Sequence, residues 1–174
     1  MALTIRLTRI SPTHHRFEYV RADGTGESLD LVTREFLTHD LVHFAVETEA
    51  ALRGSFYGLL DKIGGYAELT LDGAALGGEA QITEMVVGPM QTSVGPELDA
   101  AVVAARIAGF MRDMDLRPPR WLTGDFLEAV RERMRRLQGQ WKATPFGETM
   151  ELVFDPANNT SPEGRGRGPA KLGG

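Results

Sequence analysis

Two histidines one helical turn apart, with two carboxylates beside them, carry most of the chemical content of this 174-residue chain. They lie in the run His39-Asp40-Leu41-Val42-His43-Phe44-Ala45-Val46-Glu47. A helix advances about 100° per residue, so with His39 at zero, His43 falls near 40°, Glu47 near 80° and Asp40 near 100°. Leu41, Ala45, Thr48 and Leu52 fall near 180° to 240°, on the opposite side. One face is therefore apolar, and the other gathers both imidazoles and both carboxylates. Histidines at i and i+4 reach one cation from a single helix face, and neutral imidazole is a common ligand for zinc and similar divalent ions. The predicted metal ligands are His39 and His43 assisted by Glu47, and zinc is the first choice of ion. Asp40 is placed to orient or deprotonate a bound water, which makes metal-assisted hydrolysis the natural reaction class. Glu47 stands about 12 Å from His39 along the axis, so it suits His43 better, as a backing carboxylate or an alternative ligand. A further ligand must come from elsewhere, and by residue type the candidates are Glu79, Glu84, His14 and His15. The competing reading is a solvated helix face on a non-catalytic interaction module, homodimeric in its simplest form.

The pattern His39-Asp40-x-x-His43 resembles the His-Glu-x-x-His motif of zinc metallopeptidases, whose Glu serves as general base. Asp40 stands at that position one methylene shorter, which reduces its reach toward a bound water. The longer pattern His39-Asp40-Leu41-x-His43-Phe44-x-x-Glu47, followed by Leu52-Arg53-x-x-Phe56-x-Gly58, resembles a group of small uncharacterised bacterial proteins. The Arg-rich stretch near 131–136, Trp141 with Pro145 and a closing strand extend that likeness over most of residues 1–154. The resemblance implies a shared fold and carries no reaction or substrate with it.

The elements that must position these residues follow from periodicity. Leu3, Ile5 and Leu7 alternate with Thr4, Arg6 and Thr8, which predicts a half-buried strand. Phe17 and Tyr19 repeat the pattern, Asp23-Gly24 signals a hairpin, and a third strand near Glu27 to Val32 completes a meander. The period then changes to that of a helix over 38–53, with Thr38 as N-cap, Asp40 in the first turn and Arg53-Gly54 as the stop. A short helix is expected within 55–63, and Tyr66 to Leu71 reads as a strand or a loop. Glu79 to Val87 favours a helix ended by Gly88-Pro89. Pro96 suits the first position of a helix carrying Leu98, Val102, Ala105 and Met111 to about Met114. Thr123 caps a helix to Gln138 whose stripe is Phe126, Val130, Met134 and Leu137. Met150, Leu152 and Phe154 mark a last strand. The fold class is thus α+β: a small antiparallel sheet, made of the N-terminal meander and the C-terminal strand, with about four helices packed on one face. Residues 1–154 form a single domain, and 155–174 read as a disordered Gly/Pro/Arg tail.

Composition narrows the partners. Hydrophobic residues make up 42% and charged residues 25%, as in an ordinary globular domain. The absence of cysteine removes thiolate metal sites and thiol nucleophiles together. A net charge of −5 argues against nucleic acid as a partner, and no apolar run approaches a membrane span. The first residues lack a basic segment followed by an apolar one, so a cytoplasmic location is expected. The Gly-punctuated stretch around Gly54 and Gly58 lacks the Gly-Lys-Ser/Thr of a phosphate-binding loop. Arg131, Arg133, Arg135 and Arg136 alternate with acids and read as a solvated, charge-laced face.

Overall fold

A computed structural model describes residues 2–62, 65–71, 78–92 and 98–157. Strands β1 (Leu3–Arg9), β2 (His14–Val20), β3 (Gly26–Val32) and β4 (Thr149–Phe154) form one antiparallel sheet in the order β3-β2-β1-β4. Ile5 lies opposite Tyr19 on one side and Leu152 on the other, and Leu7 lies between Phe17 and Met150. These inward side chains are buried beneath the helices. The outward face is tied by cross-strand pairs: Arg6 reaches Glu18 and Glu151 at 3.0 Å each, and Arg16 grips Asp30 through two bonds. Gly24, at φ +83°, supplies the left-handed residue of the β2–β3 turn. The α+β class, the meander and the existence of a last strand follow the alternation in the sequence, and the fold places that strand beside the first.

The helices are α1 (Thr33–Glu49), α2 (Phe56–Leu60), α3 (Tyr66–Leu71), α4 (Gly78–Thr92), α5 (Ala100–Asp113) and α6 (Gly124–Ala143). None of them is long and apolar enough to cross a membrane. Helix α1 is the axis of the molecule, in contact with β2, β3, α2, α4 and α6. It begins five residues before the predicted cap. β3 runs into it without a loop, and the Thr33 N–H donates to the carbonyl of Thr13. Thr38 is therefore interior, and Asp40 lies beyond the first turn, where the helix dipole no longer supports its charge.

α1 ends at Glu49 rather than Arg53 through a Schellman arrangement. Leu52 N–H donates to the Glu47 carbonyl at 2.9 Å and Ala51 N–H to that of Thr48 at 3.3 Å. The left-handed position, usually glycine, is Ala51 at φ +52°. A β-carbon there is strained by roughly 1–2 kcal/mol, partly offset by the greater chain entropy glycine loses on folding. Ala51→Gly is accordingly expected to stabilise the protein by about 0.5–1 kcal/mol, seen as a melting temperature higher by roughly 1–4 °C. An unchanged or lower midpoint would show that the Ala51 conformation is not strained.

Three other elements depart from the sequence pattern. Residues 66–71 are a helix, anchored by Tyr66 N–H donating to Glu27 at 2.9 Å and by the Tyr66 ring against Phe17 and Phe56. α4 continues through Gly88-Pro89. Gly88 has no β-carbon for the proline ring to strike, and Val86, Val87 and Met90 on the other side are fully buried. α5 turns a different stripe inward. Ala100, Val103, Ala104, Ile107, Ala108 and Met111 are buried, whereas Leu98 and Val102 are 42% and 44% exposed. The small side chains let α5 approach α6 closely; a β-carbon on Gly124 would lie 3.0 Å from the Ala101 backbone. Asp99 caps α5, accepting from the N–H groups of Ala101 and Val102. The predicted opening at Gly95-Pro96 lies outside the described residues, as does the predicted tail beyond Ala157. Thr123 caps α6 as expected, and Phe126, Val130, Met134 and Leu137 are buried. Arg131 differs from the solvated reading: it is only 6% exposed, with one bond to Glu128.

Candidate metal centre

The polar face of α1 is turned inward. Asp40, His43 and Glu47 are at most 1% exposed, so a solvated helix face does not describe them. His39, one turn before His43, stays at the mouth with its side chain 34% exposed. The two imidazole rings lie 4.5 Å apart by their centroids, and Phe56 closes the far side of His43 at 5.5 Å.

α4 crosses this face and brings Glu84 to it. One Glu84 oxygen lies 2.9 Å from His43 Nε2 and the other 3.9 Å from His39 Nε2. One ligand atom from each of the three residues falls within 4.8 Å of the other two. Ligands bound tetrahedrally at zinc distances are about 3.3 Å apart, so modest rotation of the half-buried His39 and exposed Glu84 side chains would complete the set. His39, His43 and Glu84 are thus a group that can hold a metal ion. The Glu84 oxygen and the buried His43 Nε2 form an ion pair at 2.9 Å when the imidazole is protonated.

Behind each imidazole stands a carboxylate. His43 Nδ1 donates to Glu47 at 3.0 Å, and the other Glu47 oxygen accepts the N–H of Tyr57 at 2.9 Å and of Gly58 at 3.4 Å. Glu47 therefore ties α1 to the start of α2 and fixes the tautomer that leaves His43 Nε2 facing Glu84. Gly58 is required where it stands, since a β-carbon would lie 2.5 Å from the Arg53 backbone. Asp40 lies 3.5 Å from His39 Nδ1 and accepts the Tyr66 hydroxyl on both oxygens, at 3.2 and 3.1 Å. The Tyr57 hydroxyl donates to the Asp40 carbonyl at 3.0 Å.

Of the residues predicted from sequence, His39 and His43 converge and Glu84 joins them from the candidates named by type. Glu47 and Asp40 sit on the Nδ1 side of the rings, away from that point. Glu79 accepts the N–H groups of Arg53 and Gly54, holding the loop after α1. His14 is exposed beside Thr13, and His15 is buried against Thr33 and Trp141. Tyr66 and the amides of Tyr57 and Gly58 carried no signal in the sequence, because their partners lie in distant turns.

The electrostatics follow from this packing. Burial lowers the His43 pKa, but the flanking Glu47 and Glu84 charges more than reverse that and raise it from 6.5 to about 9. His39 is also raised, as Asp40 and Glu84 outweigh its burial. Pairing with the His39 and His43 imidazoles holds the Glu84 carboxyl far below its ordinary value, and burial raises that of Glu47. A folded-state pKa above the unfolded one stabilises the fold fully below the unfolded value, and this contribution disappears as pH rises through the folded value. The metal-free protein is therefore expected to lose thermal stability between pH 6.5 and about 9, a slope that His43→Gln should flatten in EDTA melts. Glu84 has the opposite sign: its contribution is present above about 4.5 and is lost on acidification through its depressed value. An equally steep slope in His43→Gln would refute the assignment to His43.

No family model, curated protein or solved structure matches this chain.

Proposed function

We propose that the protein binds a divalent metal ion through His39 Nε2, His43 Nε2 and a Glu84 oxygen, with zinc the best match to the donors. The observation that supports this most directly is the convergence of His39, His43 and Glu84, one ligand atom of each lying within 4.8 Å of the other two, with the buried His43 Nε2 2.9 Å from a Glu84 oxygen. Two imidazoles and one carboxylate form a ligand set used by catalytic zinc sites, where a further position stays open. An ion held there supplies Lewis acidity to a water or carbonyl oxygen at that position. His39 and Glu84 are 34% and 45% exposed at their side chains, so solvent and substrate can reach the centre. Metal-assisted hydrolysis is accordingly the proposed reaction class. Asp40 serves it as the carboxylate that orients His39, since both its oxygens are engaged by Tyr66 behind the ring.

The test is elemental analysis of tag-free protein before and after EDTA dialysis and Zn²⁺ reloading, beside the double variant His39→Ala, His43→Ala. About one ion per chain, absent from the variant, is the expected result. Wild-type protein that takes up no Zn²⁺ at micromolar concentration would end this reading. Hydrolysis of ester and peptide panels by zinc-loaded but not EDTA-treated protein would extend it to catalysis.

A further inference from the structure

The carboxylates behind the two histidines are held in different ways, and the difference assigns a role to Tyr66. Glu47 is fixed by charge-assisted bonding to His43 Nδ1 and by two backbone amides of α2, so its position is built into the main chain. Asp40 has a long 3.5 Å contact with His39 Nδ1, and its two oxygens share the single hydroxyl of Tyr66. His39 itself is half-buried at the mouth of the site. Its orientation therefore depends on an Asp40 carboxylate aimed by one phenol.

Tyr66 is well placed for this work. Its ring is 3% exposed, seated 4.8 Å from Phe17 of β2 and 5.4 Å from Phe56 of α2 by ring centroids. Its backbone N–H is fixed to Glu27 of β3. Phe56, in turn, packs against the His43 ring. One aromatic side chain thus joins the sheet, α2 and α3 to the carboxylate behind His39. Burial and the Asp40 charge push the Tyr66 hydroxyl far above its ordinary range, so it remains a donor at any pH the protein tolerates.

We propose that Tyr66 is a positioning residue of the metal centre, acting through Asp40 to aim His39 Nε2 at the ion. The proposal rests on the metal reading given above. Outer partners of metal-bound histidines change affinity by about 10–100-fold when removed, and residues in one chain of contacts show non-additive losses.

The experiment is Zn²⁺ affinity by chelator competition for wild type, Tyr66→Phe, Asp40→Asn, His39→Ala and the combinations of Tyr66→Phe with each of the other two. Co²⁺-loaded visible spectra are recorded alongside. Tyr66→Phe keeps the ring and should weaken Zn²⁺ by about tenfold and shift the Co²⁺ bands. The same substitution should have little further effect once Asp40→Asn or His39→Ala is present. An equal loss in the His39→Ala background, or an unchanged affinity and spectrum in Tyr66→Phe, would overturn the positioning role while leaving the metal site standing. Absence of Zn²⁺ binding by the wild type would overturn both.

Discussion

Glu47→Ala is expected to destabilise the protein by about 3–5 kcal/mol, the largest stability loss of any single substitution at the site. Glu47 is wholly buried and serves three donors at once: His43 Nδ1 and the amides of Tyr57 and Gly58. Truncation leaves those donors in a dry interior and strands a histidine that the paired carboxylates had kept protonated. Each orphaned buried group costs about 1–3 kcal/mol, and the loss of charge compensation adds to it. For a chain of this size the melting temperature should drop by roughly 6–20 °C in EDTA. Glu47→Gln, which can still accept from the two amides, should lose less. A loss below about 1 kcal/mol in the alanine variant would mean that water reaches the cavity and that Glu47 does not hold α2 to α1.

The second large effect separates binding from folding. Glu84 lies on the opposite helix with 45% of its side chain exposed, and among the described residues its ion pairs are with the two imidazoles. Glu84→Ala should cost the metal-free fold less than Glu47→Ala does while weakening Zn²⁺ binding by at least about a hundredfold, because loss of an outer partner alone removes 10–100-fold. Glu79, six residues before Glu84 by sequence count and also acidic, bonds the Arg53 and Gly54 amides instead. Glu79→Ala is the matched control and should keep wild-type affinity. Equal affinity in Glu84→Ala and wild type would remove Glu84 from the ligand set, whatever the histidines do.

The sequence by itself determined what depends on local periodicity. Alternation placed Leu3, Ile5, Leu7, Phe17 and Tyr19 on the inward face of the sheet, and the 3.6-residue repeat put His39 and His43 on one side of one helix. Thr123 and the stripe from Phe126 to Leu137 specified α6 to within a few residues, since cap and apolar face are both local signals. The start of α1 was not local, because a strand ladder hands the chain to the helix at Thr33. The inward face of α5 was not legible either. Hydrophobicity favours Val102, but close approach to α6 favours the smaller Ala100, Ala104 and Ala108.

The site divides in the same way. Spacing along α1 is enough to bring two imidazoles and two carboxylates onto one face. It cannot say whether that face meets water or protein, and here α2, α3 and α4 cover it and bury Asp40, His43 and Glu47. Only the crossing of α4 over α1 selects Glu84 from the chain's other acids, and only the packing of α3 on the sheet brings Tyr66 to Asp40. Contacts between residues far apart in the chain depend on how helices pack, and that leaves no period in the sequence to read.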